Sequence, residues 1–364
     1  MNQITTQYVT EGGACFEQYV ITDPVAKTAL TITPERGGMV TGFTLDGDEY
    51  IWTRRPNFSE CNRPRFGIPV LFPNCGKPDN GVHIFNGQAY PMEIHGMADL
   101  CPWEVESVGP DGVTLILESS PLTKFLYPFD FTVLMNYNLQ GNTASLSMTV
   151  INEGDVPMPF SFGYHPYFVA SALENVDFDI KCATCSEDAK GEQPAAPEKI
   201  TLTRKEGSDN SIRLMTGVEF PMTFTDKGNG HKVIVDADES FTNGVLWQQD
   251  AENFVCMEPW NGWANSVNEE GKRYIDVKLT DKDIGNLGGG AALFALGIGK
   301  LGLHPEFQGE VGDDCYGELI RKEFAAKNID DSLLGTSRTE KTGISISFTN
   351  EKDRSFLHPF HASG

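Results

Sequence analysis

The stretch FTVLMNYNLQGNTASLSMTVI constrains the fold more than any other part of the chain. Phe131, Val133, Met135, Tyr137 and Leu139 recur with period two on one face, while Thr132, Asn136, Asn138 and Gln140 fall mostly on the other. Gly141 and Asn142 then turn the chain. Ala144, Leu146, Met148 and Val150 alternate with Thr143, Ser145, Ser147 and Thr149, so the pattern predicts an antiparallel hairpin.

Similar runs recur at FEQYVI, ALTIT, MVTGFTLDGDEYIW, GVTLILES, VDFDIKC, HKVIVDA, GVLWQQ, NFVCME and YIDVKL, with an Asp46-Gly47 turn inside the third. No amphipathic helix is expected among them. From Ala14 to about Leu279 the reading is therefore an all-β sandwich, large because the run exceeds 250 residues. After Gly285 the composition changes. GGGAALFALGIGKLG is helix-compatible, and GELIRKEFAAKN is an amphipathic helix with Leu319, Ile320, Phe324 and Ile329 on its apolar side. TGISISFT and RSFLHPF then read as strands. The expected organisation is a β-sandwich domain over 1–285 and a short α/β tail over 286–364.

Bulk properties narrow the partners. In 364 residues the formal charge is −23, which repels phosphate backbones and anionic lipid, so neither nucleic acid nor a membrane surface suits this chain. A small neutral ligand is easier to accommodate. MNQITTQYVTEGGACF lacks the basic start and apolar run of a secretory signal, and no 18-residue apolar segment follows. The expectation is a cytoplasmic protein whose eight scattered cysteines stay free thiols. Cys182 and Cys185 form one C-x-x-C, but no second pair sits at zinc spacing.

Three histidines, His83, His95 and His165, stand among polar or aromatic residues in the β region. His95 precedes Gly96, which permits a positive φ or a close backbone approach. It either lines a cleft or ends a strand and bonds a backbone carbonyl. His165, in FSFGYHPYF, is either a cleft residue or a satisfied histidine in an aromatic cluster. Glu258 ends the apolar run NFVCME, and a buried carboxylate there is costly unless it is paired or its protonation is useful. Both His165 and Glu258 precede a proline, where the chain leaves the ladder.

RFGIPVLFP (65–73), IHGMA (94–98), FGYHPYF (162–168) and CMEPWNG (256–262), in this order and spacing, resemble the aldose 1-epimerase family of galactose-mutarotase-like sugar epimerases over roughly residues 14–283. The resemblance implies a β-supersandwich and interconversion of the anomers of a free aldohexose, with no metal and no nucleotide cofactor. It implies that Glu258 is the general base, that His165 is the general acid, and that His95 bonds the sugar near the ring oxygen. Arg65 would hold sugar hydroxyls, with Trp260 and Tyr164, beside Tyr167 and Trp263, against its apolar faces. Two departures bear on substrate. Asp99 stands where relatives with HGFAR carry an arginine, which disfavours a sugar phosphate, and Phe220 stands at the place of a substrate-binding aspartate. Those departures also leave open a sugar-binding sandwich without turnover. A glycoside hydrolase would need a second carboxylate beside Glu258.

The tail resembles the N-terminal part of ribokinase-like sugar kinases, a fructokinase type, in GEVGDDCYG and the stretch before it. Two sugar-contacting asparagines of that family become Gly290 and Leu293, and its GAGD motif does not appear. The resemblance therefore implies a kinase-like fragment that is not active.

Overall fold

The computed structural model describes residues 2–53, 58, 63–110, 112–187, 193–203, 209–249, 252–263, 265–268, 275–276, 306–312, 315–326, 329–338, 346–349 and 354–357. The chain separates into two compact units, Met1–Val277 and Lys278–Gly364. The boundary expected at 285/286 lies outside the described residues.

In the first unit the expected hairpin forms from Phe131–Gln140 and Thr143–Asn152, in register from Phe131↔Asn152 to Gln140↔Thr143. Phe131, Val133, Met135, Tyr137 and Leu139 are buried, and Ala144, Leu146, Met148 and Val150 pack beside them. With Gly112–Glu118 and Glu104–Gly109 the pair builds a four-stranded sheet. A five-stranded sheet takes Gln3–Glu11, Ala14–Asp23, Thr28–Thr33, Met39–Leu45 and Asp48–Glu49 in chain order. Asp46 and Gly47 both hold positive φ, 52° and 93°, as a two-residue hairpin turn requires. Ile21, Leu30 and Ile32 from this sheet and Val113, Leu115, Val133 and Met135 from the other share one core. Strand burial on one face of each sheet is what joins them.

A third sheet carries the polar residues of interest. Its order is Thr184–Ser186, Asn210–Thr216, Asn243–Gln249, Phe254–Trp260, Gly163–Tyr164 and Val70–Leu71, with Tyr167–Val169 also on Phe254–Trp260. Met215, Leu246, Val255 and Met257 of this sheet pack with Phe178, Met222 and Phe224 of a smaller sheet. That smaller sheet is Val176–Lys181, Glu219–Asp226 and Lys232–Val235. The all-β sandwich is borne out.

Strands Glu104–Gly109, Asn210–Thr216 and Glu219–Asp226 are among those beyond the runs named from the sequence, and two further elements show why. Strand Gln3–Glu11 precedes the expected β region; it is mostly exposed and so has little apolar signal, and its ladder to Ala14–Asp23 holds it. SPLTKFL folds as a helix, Pro121–Leu126, where none was expected. Ser120 Oγ accepts from Thr123 N at 3.2 Å, Ser120 N donates to Thr123 Oγ1 at 2.7 Å, and Pro121 opens the first turn. Six residues are too few for a 3.6-residue repeat to declare itself.

In the second unit the helix expected over GELIRKEFAAKN is present as Cys315–Ala326. It connects two parallel strands, Glu306–Gly312 and Asp330–Ser337, over a small core of Val311, Phe324, Ile329 and Leu334 with Ile320 alongside. Ile346–Thr349 and Arg354–Leu357 pair antiparallel. The helix expected over GGGAALFALGIGKLG lies outside the described residues. Among the described residues no helix is long and apolar enough to cross a membrane, and Cys15, Cys75, Cys101, Cys182, Cys185 and Cys256 are free thiols.

Gly112 tests the sheet. Its φ is +111°, and a Cβ there would lie 2.0 Å from the backbone oxygen of Tyr137, which cannot yield without breaking the strand pair. Gly112→Ala is expected to cost about 2 kcal/mol or more, read as a lower urea midpoint of the near-UV circular dichroism transition.

Candidate active site

Strand Phe254–Trp260 is buried along its whole length, and alternation sorts its two faces. Val255 and Met257 enter a core, whereas Phe254 and Cys256 pack on Tyr167, and Trp260 Nε1–H donates to Glu258 Oε2 at 3.1 Å. Across one edge Gly163 pairs with Trp260 and Tyr167 with Cys256. Both pairs belong to one antiparallel register, which puts His165 directly opposite Glu258. Pro166 and Pro259 have no N–H to give to the ladder at this point. The His165 amide instead bonds the Pro69 carbonyl oxygen at 3.1 Å. His165 Nε2 then lies 3.4 Å from Glu258 Oε1.

His95 arrives from a left-handed turn, φ 66° followed by 80° at Gly96, where a Cβ would meet Phe72 O at 2.2 Å. The His95 amide donates to Gly76 O at 2.7 Å, and Gly76 N–H donates to His95 Nδ1 at 3.0 Å. An accepting Nδ1 leaves the proton of the neutral ring on Nε2. The ring stands edge-on to His165 at 5.2 Å and to Trp260 at 5.8 Å. His95 is therefore buried, bonded through Nδ1 to a backbone N–H rather than to a carbonyl, with its ring turned toward His165 and Trp260.

Burial governs the charges. It pushes the Glu258 carboxyl well above the usual range, and the Trp260 hydrogen bond pulls the other way. It pushes His165 down, with Arg63 and Arg65 adding to the effect, and His95 down, with His165 and Arg63 adding to it. A protonated Glu258 beside a neutral His165 holds one proton between the two groups. The carboxylate–imidazolium form holds the same number, so moving that proton exchanges the two forms without any change in net charge.

The other expected residues divide. Arg65 is exposed, with Nη1 on Gln249 Oε1 at 2.7 Å, and its charge acts on His165. Trp260 stands in the cluster, edge-on to Trp263 at 5.7 Å, and orients Glu258. Tyr164 is a correction. As the strand neighbour of His165 it points the opposite way, into the core, where its hydroxyl lies 3.8 Å from Met135 Sδ and its ring stacks on Phe241. Tyr167 stacks flat on His165 at 4.7 Å and 11°, and Trp247 meets that imidazole edge-on at 5.6 Å. Phe220 is packed against both large cores. His83 does not join the cluster; it is fully buried against Phe85, with neither ring nitrogen hydrogen-bonded.

Arg63 was missed. Its Nη2 donates to Gly96 O at 2.8 Å and its Nη1 pairs with Asp99. Asp99 therefore brings a partner with it, although burial still pushes its carboxyl up to about 6. Nothing in CNRPRF singles Arg63 out from Arg65. His165, Cys256 and Glu258 each offer one donor atom, all within 4.8 Å of one another, and are the residues that could hold a metal ion among those described.

Comparison with known proteins agrees with this architecture. The family model described as Aldose 1-epimerase matches residues 17–276, and that of pfkB family carbohydrate kinases matches residues 270–360. Protein LacX of Lactococcus lactis subsp. lactis is 26% identical over 261 residues, 64% of this chain and 85% of its own. The crystal structure of Slr1438 protein from Synechocystis sp. PCC 6803 is 29% identical with a TM-score of 0.64, covering 69% of this chain and 87% of that one. A galactose mutarotase-like protein from Clostridium acetobutylicum shares the fold at 18% identity and a TM-score of 0.61, covering 73% and 91%.

His83 offers a test of the burial argument. Burial lowers it to about 4, so between pH 6.5 and 4 the unfolded chain takes up a proton that the folded chain refuses, and stability falls as pH falls. His83→Leu removes that loss and two unsatisfied nitrogens. At pH 5 it is expected to gain about 2 kcal/mol relative to its effect at pH 8, measured by urea unfolding at both pH values.

Proposed function

We propose that this chain, which belongs to the aldose 1-epimerase family, interconverts the α and β anomers of a free aldohexose by acid–base ring opening and closure. The observation that carries the reading is the buried contact of His165 Nε2 with Glu258 Oε1 at 3.4 Å. The anomeric oxygen and the ring oxygen are both bonded to C1, so the group that takes a proton from one and the group that gives a proton to the other must be neighbours.

In the proposed reaction Glu258, as carboxylate, takes the proton of the anomeric hydroxyl. The C1–O1 bond becomes a carbonyl as the bond from C1 to the ring oxygen breaks, and His165, as imidazolium, protonates that oxygen. Rotation about C1–C2 and the same steps in reverse give the other anomer and return both protons. Sugar hydroxyls entering the cleft hydrogen-bond the charged form of the pair, which an empty buried site disfavours. In this reading the His95 Nε2–H donates to the ring oxygen, a role the Nδ1 bond to Gly76 supports, and Arg65 holds hydroxyls. The Arg63–Asp99 pair leaves no unpaired cation at that point for a phosphate, in keeping with a free sugar.

Sugar binding without turnover is the second reading, and Phe220 favours it, since an apolar ring packed in the core supplies no carboxylate to a substrate hydroxyl. We assign no part in the chemistry to the kinase-like segment, where Gly290 and Leu293 cannot make asparagine contacts.

Proton NMR of freshly dissolved α-D-glucose and α-D-galactose tests the proposal. The wild-type chain is expected to speed anomer equilibration, and Glu258→Gln to lower kcat by about 10²-fold or more. Full rate in Glu258→Gln removes Glu258 as the base. A wild-type chain that binds sugar without speeding equilibration establishes the second reading instead.

A further inference from the structure

Cys256 has no part in the proposed reaction, yet it shares a strand face with Glu258 two residues away and stands opposite Tyr167, two residues from His165. Its thiol, a His165 ring nitrogen and a Glu258 oxygen lie within 4.8 Å of one another, and all three residues are buried. An imidazole nitrogen, a thiolate and a carboxylate form a donor set that suits zinc and its neighbours, with a fourth position left open. Bonds of about 2.0–2.1 Å to nitrogen and oxygen at a tetrahedral angle need a bite of about 3.4 Å. His165 Nε2 and Glu258 Oε1 already hold 3.4 Å. Trp260 occupies only the other carboxylate oxygen, and Tyr167 fixes the imidazole plane by stacking. A thiolate and a carboxylate balance a dication in this buried place, while the nearby Arg63 and Arg65 remain engaged by Asp99 and Gln249.

We propose that His165, Cys256 and Glu258 form a binding site for a thiophilic divalent cation of the zinc and cobalt class, filled in competition with the sugar. The bound ion takes Glu258 Oε1 and His165 Nε2, the two atoms the sugar would use, so such cations act as inhibitors. Metal binding releases the thiol proton of Cys256 to solvent.

Titration of the full chain with cobalt chloride, followed by absorption, reads the site without reference to sugar turnover. One equivalent is expected to produce a thiolate-to-cobalt charge-transfer band. Cys256→Ser and Cys256→Ala are expected to abolish the one-equivalent band, and Glu258→Gln to weaken cobalt binding about tenfold or more. Absence of the band in the wild-type chain overturns the proposal, as does a band of unchanged strength in both Cys256 variants, which assigns it to other thiols such as the exposed Cys15. Far-UV circular dichroism checks each fold. Should both Cys256 variants unfold, unchanged cobalt affinity in Glu258→Gln overturns the proposal by itself.

Discussion

The pairing of Phe254–Trp260 on both of its edges is the constraint on which the site depends. A strand buried on both faces must find backbone partners on each side, and this one takes Asn243–Gln249 on one edge and two short segments on the other. The short segments stay in register across a gap that prolines create from both sides. Inside that gap an imidazole and a carboxylate face each other with no backbone bonds between them. The polar pair thus depends on the ladder immediately before and after it, while Val255 and Met257 tie the same strand to a core from behind.

Burial then decides how the pair behaves. Glu258 and His165 are shifted in opposite directions, each toward its neutral form, and the Trp260 indole is a counterweight on the carboxyl. His95 is held neutral by the same cause. A site of this kind keeps its charge latent, because polar contact with a ligand is what makes separated charges affordable in it. The aromatic rings of Tyr167, Trp247 and Trp260 keep the imidazoles from rotating away.

The sandwich was legible because period-two burial is written directly into residues such as Phe131, Val133 and Met135. Strand Gln3–Glu11 and helix Pro121–Leu126 were not, the first because exposure removes the alternation and the second because a single capped turn or two has no period to read. Gly96 and Pro166 drew attention to His95 and His165 because each marks a place where regular pairing stops, whereas Pro259 lies inside a strand that runs on to Trp260, and Trp260 was named only by the family resemblance. Tyr164, named only through the family resemblance, faces the core because alternation sends it to the side opposite His165. Arg63 was invisible because its meaning comes from Asp99, 36 positions away in the chain. For the same reason Asp99 could be read only as a negative charge in place of an arginine, without its partner.

The reciprocal bonds between Gly76 and His95 have a consequence for timing. A backbone amide, rather than a titrating side chain, dictates which ring nitrogen of His95 bears hydrogen, and the amide cannot change its own protonation in the ordinary pH range. The donor is therefore set when the chain folds and needs no tautomer exchange or ring flip when a ligand arrives. His95 is thus a donor that stays still beside the Glu258–His165 pair.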